Sequence, residues 1–229
     1  KIYIDAVQDS FMGKAAARGA SAQLDKLRSV YGHYQNIFLA NEKGVVTAAA
    51  DTDSIGSLDI KDAPYFKAVM DGALSAYHLE KNPVTGTPEL IMAALLTAED
   101  KTPGVIVSVI EIERINELFI NRIKIGKTGF AYLYKIEGLI IAHPVREMEL
   151  TYDLSRADNF NDFEGMAEGQ YKYEHEGLQK WAAFKQLPSI PWKIAVTIHA
   201  DEVLASAKKL RNINGMVAII SVLVAGFII

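Results

Sequence analysis

From Ile2 to about Tyr34 apolar residues recur at helical spacing, with Ile4, Val7 and Phe11 followed by Leu24, Leu27, Tyr31 and Tyr34. This pattern predicts one long helix. Its middle, MGKAAARGASAQ, is rich in small residues that let a second helix approach closely, although Gly13 and Gly19 each cost about 1 kcal/mol of propensity against alanine. Such a stripe serves either to pack on a twin helix in a homodimer or to pack on the chain's own domain.

Beyond Tyr34 the texture changes to strands and a repeat emerges. Asn36 to Ala50 reads apolar strand, turn at Glu42-Lys43-Gly44, apolar strand, and Gly129 to Pro144 repeats the design with its turn at Ile136-Glu137-Gly138. A second pair of hairpins follows. ELIMAALLT leads into VIVSVIEI and a helix from Glu113 to Arg122, while QKWAAFKQ leads into WKIAVTIH and a helix from Asp201 to Leu210. Antiparallel strands with helices gathered between hairpins predict an α+β fold of two tandem units, each sheet covered by helices on one face.

Between the hairpins of the first unit lies DAPYFKAVMDG. Asp62 is a candidate N-cap, Pro64 suits a first helical turn and Gly72 can end the helix, which sets Tyr65 and Phe66 at the helix mouth. At the other end of the chain, Gly215 to Ile229 is an uncharged apolar run. It reads as the start of a membrane span, short of the roughly 20 residues a crossing needs. Lys208, Lys209 and Arg211 precede it, and positive charge beside a span ordinarily marks the cytoplasmic side, a rule that weakens for long translocated domains. No secretory signal opens the chain, so Lys1 is read as a boundary within a longer protein.

Half of the 229 residues are apolar, enough for one large core or two modest ones. A net charge of -4, with no basic run interleaved with aromatics, argues against nucleic acid as a partner. The absence of cysteine removes disulfides, thiolate metal sites and cysteine nucleophiles. His33, His78, His143, His175 and His199 show no metal-binding spacing. His175, between Glu174 and Glu176, reads as alternation in a polar strand, and His143 as a hydrogen-bonded strand end. No GxSxG, P-loop or GxGxxG motif is present, so neither an enzyme nor a cofactor is expected, although carboxylate pairs leave no local signature.

Six segments in order, NEKGVVTAAAD, DAPYFKAVMDG, NPVTGTPELIMAA, PGVIVSVIEIERINELF, KIGKTGFAYLYKIEGLIIAHP and PWKIAVTIH, make the chain resemble the double Cache sensor domains. These are tandem PAS-like extracytoplasmic modules of methyl-accepting chemotaxis receptors, and of some sensor kinases and cyclases. The resemblance implies a signalling and dimerisation helix at 1–35, a membrane-distal ligand-binding module at 36–122, a membrane-proximal module at 123–210 and the start of a transmembrane helix at 211–229. It further implies a small-molecule ligand, a homodimer formed through the N-terminal helix, an inner-membrane anchor with the domain on the periplasmic or extracellular side, and a cytoplasmic signalling domain in the same chain. The output could equally be a histidine kinase or a diguanylate cyclase. Readings of another class are a membrane-anchored extracellular enzyme and a structural ectodomain with a vestigial pocket.

By the same resemblance the ligand pocket comprises Asp62, Tyr65, Phe66, Tyr77, His78, Glu80, Asn82, Ser108 and Glu111. The chain departs from the amino-acid binders of the family at telling positions. Ala63 stands where they carry the arginine that grips a ligand carboxylate, Glu111 best matches their ammonium-binding aspartate, and Glu80 and Asn82 replace a tyrosine and an aspartate. The charges that remain, Asp62, Glu80 and Glu111, are all negative, which favours a cationic or amine-bearing ligand.

Overall fold

The computed structural model of the chain describes residues 2–99, 101–156, 160–163, 165–188 and 190–205. Two compact units divide between Ile115 and Asn116, ahead of the 122/123 boundary read from the sequence.

The first unit begins with helices α1 (Ile2–Ala6) and α2 (Phe11–Tyr31) rather than one continuous helix. Ser10 stops the continuation because it is the N-cap of α2, in extended conformation, with its side chain accepting from the Gly13 N–H at 2.9 Å. The chain then folds α1 back onto α2. Gly13 presses on the Gln8 backbone where no Cβ would fit, and a Cβ at Gly19 would lie 2.9 Å from Ile2 Cδ1. The small residues of α2 therefore receive a helix of the same chain. Ile4, Val7 and Leu24 are buried in that packing, whereas Phe11 and Tyr31 are exposed. Gly32, at φ 65°, closes α2 before Tyr34 by donating to the Arg28 carbonyl at 2.8 Å.

Five antiparallel strands follow, β1 (Asn36–Asn41), β2 (Val46–Ala49), β3 (Ser75–Lys81), β4 (Pro88–Leu96) and β5 (Gly104–Glu111), in spatial order β2-β1-β5-β4-β3. Because side chains alternate across a strand, Phe38, Ile91, Ala93, Val105 and Val107 face helix α3 (Pro64–Met70), while Ile37, Leu39 and Ile106 face α1 and α2. This sheet thus carries helices on both faces, not one. β5 passes into a short helix α4 (Ile112–Ile115) and a wider π-helical turn at Asn116–Ile120, shorter than the helix expected up to Arg122.

The second unit holds β6 (Lys124–Ile125), β7 (Gly129–Lys135), β8 (Ile140–Ala142), β9 (Glu168–His175), β10 (Leu178–Gln186) and β11 (Trp192–His199). Its order is β6-β7-β11-β10-β9, with β8 also paired to β7. The repeat is visible at the level of single bonds. Each first hairpin has a bulge, at Leu39/Ala40 and Leu133/Tyr134, and a left-handed turn glycine, Gly44 at φ 82° and Gly138 at φ 111°. In each, the turn glycine's carbonyl accepts from a later N–H, Ile60 at 2.9 Å and Leu154 at 3.0 Å. A preceding aspartate caps the connection in both, Asp59 accepting from Lys61 N–H at 3.0 Å and Asp153 from Ser155 N–H at 2.9 Å.

Residues 200–205 are helical. The rest of the helix expected from Asp201 to Leu210, and the apolar run from Gly215 to Ile229, lie outside the described residues. Among the described residues no helix is long and apolar enough to cross a membrane.

Candidate functional site

The N-cap of α3 is Ala63, with no side-chain cap bond, followed by Pro64 in the first turn. Asp62 instead turns outward, its side chain 80% exposed, and pairs with Lys67 at 3.0 Å. The Lys67 hydrogen bond and charge hold its carboxyl below the usual range. Asp62 is therefore a surface ion pair, and the expected N-cap and pocket roles do not describe where it points. Tyr65 and Phe66 project the other way, into the core between α3 and the sheet, both buried.

Strand alternation sorts the remaining expected residues between two faces. Tyr77 pairs with Met92, and Ser108 with both Met92 and Ile37, so these four form one cross-strand row on the α2 side. Tyr77 and Ser108 therefore share no face with Tyr65. His78 and Glu80 of β3 point to the α3 side, and so does Glu111, in step with Val107 and Val109.

On that side register produces a feature the sequence did not announce. Glu80 pairs with Glu89, and Glu89 pairs with Glu111, so three carboxylates from β3, β4 and β5 stand side by side. Glu89 was absent from the expected set. It is only 4% exposed, accepts from Asn82 Nδ2 at 3.0 Å and also receives a hydrogen bond from Gln35. Burial raises its pKa; the two hydrogen bonds oppose the rise, and the charges of Glu111 and Glu80 add to it. Asn82 holds the β3–β4 turn as well, its Oδ1 accepting from the Val84 and Thr85 N–H groups at 2.9 and 3.1 Å. Its role is to brace Glu89 and the turn.

The row has aromatic company. His78 Nε2 lies 3.4 Å from Glu80 Oε2, and the His78 ring is 6.3 Å from that of Tyr65. Burial pushes the Tyr65 hydroxyl up to about 12, with further contributions from Glu80 and Glu89, so it stays a neutral hydrogen-bonding group close to the acids. Three carboxylates in series, the central one buried and its neighbours half-buried, attract a cation or a multiple donor such as an ammonium. Among the described residues, no group of three His, Asp or Glu side chains is arranged to hold a metal ion.

A family model described as a Cache domain matches residues 3–207. The chain belongs to the Cache domain family. It is 32% identical over 108 residues to the methyl-accepting chemotaxis protein TlpB of Bacillus subtilis, an alignment covering 47% of this chain and 16% of that receptor. To McpB of the same organism it is 22% identical over 224 residues, 97% of this chain and 33% of the receptor. The chain thus spans about a third or less of the curated relatives it matches. The ligand-binding domain of the Pseudomonas aeruginosa chemoreceptor PctB, solved with L-Gln, shares the fold at TM-score 0.65 and 19% identity, over 85% of this chain and 82% of that one. The extracellular domain assigned to the histidine kinase rpHK1S-Z16 also shares the fold, at TM-score 0.68 and 19% identity over 82% of this chain and 79% of that one. The chain is a Cache sensor domain homologous to the sensor regions of chemotaxis receptors.

Proposed function

We propose that this domain is the extracytoplasmic ligand-binding part of a transmembrane chemoreceptor, and that it recognises a small amine-bearing metabolite at the Glu80–Glu89–Glu111 row of its first unit. The row carries this reading. Like charges directly opposite across paired strands are unfavourable, and an ammonium seated on them would replace repulsion with charge-assisted hydrogen bonds. Related domains have been solved with L-Gln, with asparagine and with GABA, each an amine. Ala63 offers no guanidinium to a ligand carboxylate, so the amine is the group this chain is equipped to select.

The ligand would act through the sheet. The strands that carry the acids on one side carry Tyr77, Met92 and Ser108 on the other, in a row that ends at Ile37 of β1 on the α2 side. A ligand that binds one strand arrangement better than another would shift how α2 packs, by no more than that difference in affinity. Output through a cytoplasmic domain of the same chain, anchoring through the C-terminal apolar run, and dimerisation through the N-terminal helical segment complete the proposal. The chemoreceptor reading is preferred to the kinase one because the curated relatives are chemotaxis receptors. A thermal-shift screen tests the ligand class: primary amines should stabilise the domain, and stabilisation by dicarboxylates with amines silent would refute it.

A further inference from the structure

The second unit has a site of opposite character. A cavity of about 800 Å³ opens between the sheet and residues 143–156 that follow β8, within the size range of small-molecule sites. On its floor lies Lys180, in β10 and only 9% exposed. Register sets Lys180 between Tyr173 of β9 and His199 of β11. Its ammonium lies 5.8 Å from the centre of the Phe130 ring.

A cation this deeply buried is ordinarily neutralised by a carboxylate. Among the described residues Lys180 has no ion-pair partner. The acids of the cavity, Glu174 and Glu176, are exposed at its rim, and Glu174 is engaged by Gln179 Nε2 at 2.6 Å. The imidazole facing Lys180 does not compensate either. His143 is held down to about 4 by burial and then by the charges of Lys180 and His175, against an upward pull from the Val145 carbonyl. It is neutral at physiological pH, with Nδ1 accepting from the Val145 N–H at 2.9 Å. Arg156 and Lys172 at the mouth are further cations. Lys180 therefore lines the cavity with no ion-pair partner among the described residues, while Phe130 and Tyr152 offer apolar walls.

We propose that the second unit is itself a binding module, taking a small organic carboxylate whose anionic head sits on Lys180 and whose body lies along Phe130 and Tyr152. This second site is independent of the acid row and selects the opposite charge.

Calorimetric titration of the 229-residue chain with acetate, hexanoate and benzoate, at constant ionic strength, tests it. At least one of them should bind saturably, with affinity reduced at least about tenfold in Lys180→Met, as for loss of a hydrogen bond to a charged group. Lys180→Arg and Glu89→Gln should retain it. Binding by none of the three, equal binding to Lys180→Met, or equally tight binding of inorganic phosphate would overturn the proposal. Should Lys180→Met fail to fold, the labelled methyl of Met148, which lines the cavity, supplies the readout in the unaltered chain: a saturable shift supports the site and an unmoved signal refutes it.

Discussion

Glu89 and Glu111 are directly paired on adjacent antiparallel strands with both side chains on the α3 side, and Glu80 extends the pair to a third strand. Burial and the neighbouring charges of Glu111 and Glu80 disfavour ionisation of Glu89, and the row gains most when something positive sits on it.

Glu89→Gln should therefore stabilise the empty domain at neutral pH. The folded-state pKa of Glu89 is raised above its ordinary 4.5. Its ionisation thus leaves stability highest below that ordinary value, and stability is lost as pH rises through the raised one. Glutamine can still accept the Asn82 bond. Urea unfolding at pH 7 should show a gain of a few tenths to about 1 kcal/mol, shrinking toward zero on acidification, together with weaker amine binding.

Tyr65 separates packing from recognition. At 7% exposure it belongs to the core, so Tyr65→Ala should cost about 3 kcal/mol as a large-to-small change. Tyr65→Phe keeps the ring and removes the hydroxyl near Glu80 and Glu89. Its unfolding midpoint should stay close to that of the parent while calorimetry shows reduced amine affinity.

Gly13→Ala sets helix propensity against packing. Propensity alone favours alanine in α2 by about 1 kcal/mol. The Gln8 backbone occupies the space of the new Cβ, so thermal unfolding should instead show a net loss above about 1 kcal/mol.

His143 should titrate near 4 by NMR. Because its pKa is depressed on folding, the associated stability is present above the ordinary 6.5 and is lost as pH falls from there through about 4. His143→Phe should flatten that acid limb.

Both hairpins of the repeat were legible in the sequence because each is bounded by a turn that demands glycine, Gly44 in one and Gly138 in the other. The break before α2 was not, since Val7 and Phe11 keep helical spacing across it; only Ser10, a good N-cap, marked the stop. Site residues were harder still. Tyr77 and Ser108 lie in the expected strands, but the side a residue faces depends on register, and a shift of one position exchanges the faces. Glu89 escaped for the same reason: as a charge at the head of an apolar strand it looks like a solvated end until pairing sets it between Glu80 and Glu111. Tyr65 and Phe66 were found at their helix mouth, although core packing accounts for much of their burial.

The most direct test is calorimetric titration of the domain with the diamine putrescine, comparing the natural sequence with the Glu89→Gln/Glu111→Gln double variant and with Lys180→Met. The account predicts saturable binding that falls at least about tenfold in the double variant, as hydrogen bonds to charged groups are lost, and is unchanged in Lys180→Met. Undiminished putrescine binding in a folded double variant, or no saturable binding of putrescine to the natural sequence, would contradict it.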